Sequence, residues 1–137
     1  MRTLVVGNHD VTLNGLESMA YHSRYPTPYA ASGSASPLWW SLDLGPAHVV
    51  GLSSYAPVSA RGMFDGGDTP MLAWLLRDLA GIDRGVTPWV VVMFHVPWYN
   101  SNHGHFKEGW RAQQALEAAP ARHCSPRHPT HFEPSIP

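Results

Sequence analysis

The stretch that most constrains this chain is Trp89-Val90-Val91-Val92-Met93-Phe94. Six consecutive apolar residues leave no polar face, which argues against both an amphipathic helix and a half-solvated strand. Three adjacent β-branched residues favour extended backbone, because a branched Cβ is stiff and packs well on a pleated surface. Thr87-Pro88 immediately before the run marks its start. The pattern predicts an interior strand covered on both faces, as in parallel sheets flanked by helices. The run stops at His95, so a polar, ionisable side chain stands at the strand's carboxyl end.

The rest of the chain supplies plausible neighbours for such a strand. Leu4-Val5-Val6 is a shorter apolar run halted by Gly7, and predicts a buried strand ending in a tight turn. Residues 14–37 are rich in Ser, Pro, Gly and Tyr and read as a long ordered loop. Leu38–Leu44 and His48–Ser53 are strand candidates, and the Gly45-Pro46-Ala47 link predicts an antiparallel hairpin. Gly62–Pro70 reads as a second loop. Met71, Leu72, Leu75, Leu76 and Leu79 recur at helical spacing, so Met71–Ala80 is expected to be an amphipathic helix. Arg111–Ala118 has helix formers and no breaker before Pro120. The last twenty residues hold five Pro and three His without periodicity, and are expected to be disordered. The implied organisation is one α/β domain over 1–117 and a Pro/His-rich tail over 118–137.

Composition narrows the function classes. With 9 Lys and Arg against 10 Asp and Glu, the chain has no basic excess for nucleic acid phosphates and no cationic cluster for a membrane surface. No nucleic acid and no membrane partner is expected. The apolar run at the start is shorter than that of a signal peptide, so localisation is left unknown. Charged residues are only 14% of the chain, against about 25% in an average domain, which leaves a surface suited to a covering partner. A single cysteine, Cys124, excludes an internal disulfide. The 9 histidines are the unusual count, since imidazole is the commonest transition-metal ligand.

Two polar clusters follow the two best apolar runs: Asn8-His9-Asp10 after Gly7, and His95 after Phe94. Open α/β sheets gather ligands just beyond the carboxyl ends of their strands, so residues far apart in sequence can meet there. Each cluster also has a plainer explanation. Asn and Asp favour turns by bonding their own backbone, and a histidine at a strand end can simply bond a carbonyl.

Gly7-Asn8-His9-Asp10 after a short strand resembles the GNH[DE] block of calcineurin-like metallophosphoesterases. Val92-Met93-Phe94-His95 is similar to the V-x-x-H block of the purple acid phosphatase branch. Val96-Pro97-Trp98-Tyr99-Asn100-Ser101-Asn102 resembles the loop that follows that histidine. Pro37–Asp43, Val49–Tyr55, Trp74–Leu79 and Thr87–Trp89 look like this family too, and the resemblance runs in unbroken order over roughly residues 4–117. It implies part of an αββα sandwich (two β-sheets between helices). It also implies hydrolysis of small phosphate monoesters at a binuclear metal centre, Fe3+ with Zn2+, Mn2+ or Fe2+. By position, Asn8 and His95 would be ligands of the divalent ion. His9 and His105 would bind substrate and serve catalysis, and Asp10 would orient His9.

The same resemblance sets limits. The family's D-x-G and G-D-x-x-Y blocks precede Gly-Asn-His-Asp, and its G-H-x-H block follows. None is found here: Gly67-Asp68-Thr69-Pro70-Met71 has Met in place of Tyr and lies downstream. The expectation is therefore an incomplete domain with ligands for the divalent ion only, weakly active or inactive by itself. The alternative is a non-catalytic binding or regulatory module, associated with another chain such as a full-length relative.

Overall fold

The computed structural model describes residues 4–10, 19–55 and 69–102, together with residues 109, 110, 113, 114, 116 and 117. The element order is α1 (Met19–Arg24), β1 (Trp40–Leu44), β2 (Ala47–Gly51), α2 (Pro70–Ala80) and β3 (Trp89–Met93). The strands form one sheet in the order β1-β2-β3. Residues 110, 113, 114, 116 and 117 are also helical, as the sequence predicts for that stretch. The predicted tail, 118–137, lies outside the described residues.

The hairpin forms where the turn residues place it. β1 and β2 run antiparallel, with Trp40 opposite Gly51 and Leu44 opposite Ala47, so the turn is the two residues Gly45 and Pro46. β3 then pairs parallel to β2, Ala47 facing Trp89 and Gly51 facing Met93. A parallel pair requires a crossover, and α2 lies within it. The helix is capped by Thr69, whose Oγ1 accepts the Leu72 N–H at 3.1 Å, and Pro70 occupies its first turn. It buries Met71, Trp74 and Leu75 in a core shared with Val6, Tyr21, Leu38, Val50 and Leu52. Each fully buried aliphatic side chain there stabilises the fold by about 1.5–3 kcal/mol. A small mixed sheet with a helix packed on it is what part of an α/β metallophosphoesterase domain should contain.

Three expectations need correction. First, among the described residues β3 is an edge strand and is not covered on both faces: Trp89 is 68% exposed and Val91 46%. Register accounts for Trp89 and Val91, while Val92 on the other face is also 39% exposed, as an edge position allows. Trp40, Leu42 and Leu44 share one sheet face with Ala47, Val49 and Gly51 and with Trp89, Val91 and Met93. That face is wholly apolar, whereas α2 bonds to Ser41 and His48 on the other. Second, Leu4–Val6 is not a strand, although Val6 is fully buried. The Leu4 carbonyl accepts from Tyr21 Oη at 2.8 Å and from Trp40 Nε1 at 3.3 Å, so side chains satisfy an acceptor that a ladder would otherwise use. Third, the long loop read over 14–37 contains α1.

A polar cluster absent from the sequence reading ties α2 to the hairpin. His48 Nδ1 lies 2.7 Å from Asp43 Oδ1, and its Nε2 lies 2.9 Å from Asp78 Oδ2. The Ser41 hydroxyl donates to Asp78 Oδ1 at 2.8 Å. Burial of the imidazole pulls its pKa down, but bonding to Asp78 and Asp43 and their charges outweigh this and hold it above the ordinary 6.5. A cavity of about 310 Å³ lies beside the cluster, lined by Trp74, Arg77, Asp78 and Asp83 among others.

Two predictions concern stability. A Cβ added at Gly51 would lie 2.5 Å from Cε2 of Trp40, itself fully buried. Gly51→Ala is therefore expected to cost about 1–3 kcal/mol in urea unfolding, against less than about 0.5 kcal/mol for Val91→Thr on the exposed face. The folded state holds the His48 proton more tightly than the unfolded chain. The cluster thus stabilises fully below about pH 6.5, and that contribution is lost as pH rises through the elevated folded value. The urea midpoint should fall between about pH 6 and about pH 9, and the fall should be smaller in His48→Gln. Parallel pH profiles for the two proteins would contradict this assignment.

Candidate metal-binding site

The carboxyl ends of β2 and β3 lie side by side because the two strands are parallel and in register. The ladder continues one step past them, with the Leu52 N–H donating to the Met93 carbonyl at 2.9 Å. Beyond that bond the chains leave the sheet as Ser53-Ser54-Tyr55 and as Phe94-His95-Val96.

The Asn8-His9-Asp10 cluster reaches the same place. Its turn closes on itself: the Asp10 N–H donates to the Gly7 carbonyl at 3.0 Å, and the Gly7 N–H donates to Asp10 Oδ2 at 3.0 Å. This is the local Asx chemistry that the residue types favour. The Asp10 carboxylate thereby fixes the turn backbone. Its Oδ2 is engaged with Gly7, not with His9, whose orientation it was expected to set.

The turn presents Asn8 to His95 across 87 residues of sequence, with Asn8 Oδ1 and His95 Nε2 3.2 Å apart. Asn8, His9 and His95 are all solvent-exposed. The amide oxygen can only accept, so Nε2 carries the proton in this arrangement. A cation between the same two atoms would take that proton's place, using the Nε2 lone pair and the amide oxygen together. Two ligands on one ion, with bonds of about 2.1 Å at about 90–109°, stand about 3.0–3.4 Å apart. The observed separation falls in that range, and an imidazole with a neutral oxygen donor suits zinc, manganese or ferrous iron. Among the described residues there is no group of three or more His, Cys, Asp or Glu able to hold a metal. Among the described residues the site therefore consists of these two donors.

His95 is closely bracketed. A Cβ on Gly7 would fall 3.2 Å from His95 Cε1 and 3.3 Å from Nδ1. The Tyr55 ring lies 6.1 Å from the imidazole, centroid to centroid, tilted by 45°. Past His95 the loop is held by stacking of Phe94 on Trp98 at 4.5 Å. Tyr99 Oη also donates to Glu117 Oε1 at 2.8 Å. His103 and His105 lie outside the described residues. No helix among the described residues is long and apolar enough to cross a membrane.

Sequence comparison extends the geometry. The chain is 41% identical to the onion (Allium cepa) protein named "Phosphoenolpyruvate phosphatase" over 118 residues, 82% of this chain and 23% of that protein. It is 37% identical to "Purple acid phosphatase 23" of Arabidopsis thaliana over 118 residues, 84% of this chain and 24% of the relative. To the "Purple acid phosphatase" of Glycine max it is 44% identical over 89 residues, 65% of this chain and 18% of the relative. No protein-family model matches the chain. The chain spans about a quarter or less of the length of these relatives.

The close packing of Gly7 on His95 is testable. Gly7→Ala is expected to displace the imidazole by a few tenths of an ångström and lengthen the Asn8–His95 contact. The His95 and Asn8 side-chain signals should then shift by NMR while the Trp74 indole signal stays in place. Unchanged His95 signals would show that the glycine is not needed for this approach.

Proposed function

That the chain is a purple-acid-phosphatase-like segment is the premise from which we propose its function: it carries part of the binuclear metal centre of an acid phosphatase that hydrolyses small phosphate monoesters. The observation that carries this reading is the 3.2 Å approach of Asn8 Oδ1 to His95 Nε2, two donors delivered by separate segments to one point. They are the residues that would hold the divalent ion (zinc, manganese or ferrous iron) beside a ferric one. A metal pair there would polarise the phosphoryl oxygen and lower the pKa of bound water.

The chain's own groups have distinct tasks in this scheme. Asn8 and His95 provide neutral donors and leave the cation's charge undiminished. His9 follows Asn8 directly in an exposed turn and can protonate the departing alkoxide, the general-acid role that imidazole most often takes. Asp10 keeps the turn closed through the Gly7 N–H, so that Asn8 and His9 are presented from fixed backbone. His105 is assigned a substrate-side role, as the resemblance implies.

A second reading is favoured by the apolar sheet face bearing Leu44, Trp89 and Val91, which are 68%, 68% and 46% exposed. A face of this kind fits a non-catalytic module that docks on a full-length relative or another partner. A stoichiometric complex with a full-length relative in gel filtration would support it. A monodisperse lone monomer in that mixture would count against it.

The catalytic reading makes a two-part prediction. Because zinc sites usually need three protein ligands, the pure, metal-loaded chain is expected to release p-nitrophenol from p-nitrophenyl phosphate only marginally faster than a blank. Whatever turnover exists should disappear in Asn8→Ala and in His95→Ala. Activity surviving in either variant would overturn the donor assignment, and vigorous turnover by the unaltered chain would overturn its incompleteness.

A further inference from the structure

We infer that Ser54 and Tyr55, at the exit of β2, are positioning residues for His95, holding its imidazole where Nε2 meets Asn8 Oδ1. The inference rests on the reading of Asn8 and His95 as a donor pair.

His95 is an exposed side chain on a short connection, and nothing in its own strand fixes its direction. Its backbone, however, is fixed on both sides by the exit of β2. Upstream, the Met93 carbonyl accepts from the Leu52 N–H at 2.9 Å. Downstream, the Val96 N–H donates to Ser54 Oγ at 3.1 Å. Val96 is itself 4% exposed, so its amide has little access to water if the hydroxyl is removed. The two bonds enclose His95: the Val96 bond fixes the peptide plane that follows its Cα, and the Met93 bond fixes the peptide next but one before it.

The ring is then confined laterally. Tyr55 lies 6.1 Å away on the β2 side, and the Gly7 Cα approaches the imidazole from the turn that carries Asn8. Tyr55 is well placed as a fixed wall: it is 9% exposed, and its N–H donates to Ser53 Oγ at 3.1 Å. Ser53 is 2% exposed, so the turn that presents Ser54 and Tyr55 is anchored in the core. Between a backbone clamp and two flanking groups, the imidazole has few staggered positions left. Metal sites depend on partners of this kind, because a ligand that must be ordered on binding gives up affinity.

A merely structural role and a positioning role separate when Mn2+ alone is used as the probe on the full, isotopically labelled chain. In the unaltered protein, Mn2+ should broaden the NMR signals of the Asn8 and His95 side chains together. In Ser54→Ala the Val96 amide should exchange with solvent faster. Broadening at His95 should drop relative to that at Asn8, and the apparent Mn2+ dissociation constant should rise about tenfold, the low end of what loss of a supporting partner costs a metal site. Ser54→Thr, which keeps the hydroxyl, should restore the native ratio. Tyr55→Leu, which keeps apolar bulk in place, carries the same test should Ser54→Ala fail to fold. Unchanged Mn2+ affinity and unchanged His95-to-Asn8 broadening in the folded variants would overturn the inference. Absence of broadening at both residues in the unaltered chain would overturn the donor pair itself, and this inference with it.

Discussion

The parallel pairing of β2 with β3 is the constraint on which the rest depends. Parallel strands end on the same side of a sheet, so their exits must lie together, and here the exits carry Ser54, Tyr55 and His95. An antiparallel β3 would send His95 to the opposite end of the strands. The register matters equally. A shift of one residue would turn Trp89, Val91 and Met93 to the other face and move the Leu52–Met93 bond from which the strand exits diverge. α2 makes the parallel pairing feasible because it occupies the crossover and anchors its buried side chains on one face of the sheet.

That anchorage is polar as well as apolar. Met71, Trp74 and Leu75 supply burial without direction, while Asp78 bonds both Ser41 and His48 and so fixes where along the hairpin the helix can sit. A buried imidazole between two carboxylates is costly unless every partner is in place, which makes the cluster a stringent check on helix position. Among the described residues the opposite sheet face has no such device. It is apolar from Leu42 to Trp89 and partly open to solvent, a surface suited to a further layer of protein.

Much of this was legible from residues alone. The α2 spacing and the Gly-Pro hairpin are local signals, and local signals survive without knowledge of the fold. Pro70, by contrast, reads as loop and proves to open the helix. His48 and Asp43 could have been paired once the hairpin was drawn, since they face each other across it. Asp78 could not, because its meeting with them depends on how a helix is laid on a sheet. The misreading of β3 has a similar cause. An all-apolar run reports that a strand can be covered on both faces, and does not report whether this chain provides both covers. Leu4–Val6 failed for a related reason: buried apolar residues ask for a dry environment, while strand pairing also needs a neighbouring ladder, and side chains had taken its place.

The sequence by itself determined which residues can bear chemistry: an Asn-His-Asp turn after one apolar run, a histidine after another, and an ordered resemblance to purple acid phosphatases linking them. Residue type dictates what an amide oxygen, an imidazole or a carboxylate can donate or accept, wherever it stands. Only the tertiary structure decided that Asn8 and His95 meet while Asp10 turns back to its own backbone, and that Ser54 and Tyr55 stand beside them. Distance between side chains is set by strand direction, register and the packing of elements remote in sequence, none of which is a property of any one residue.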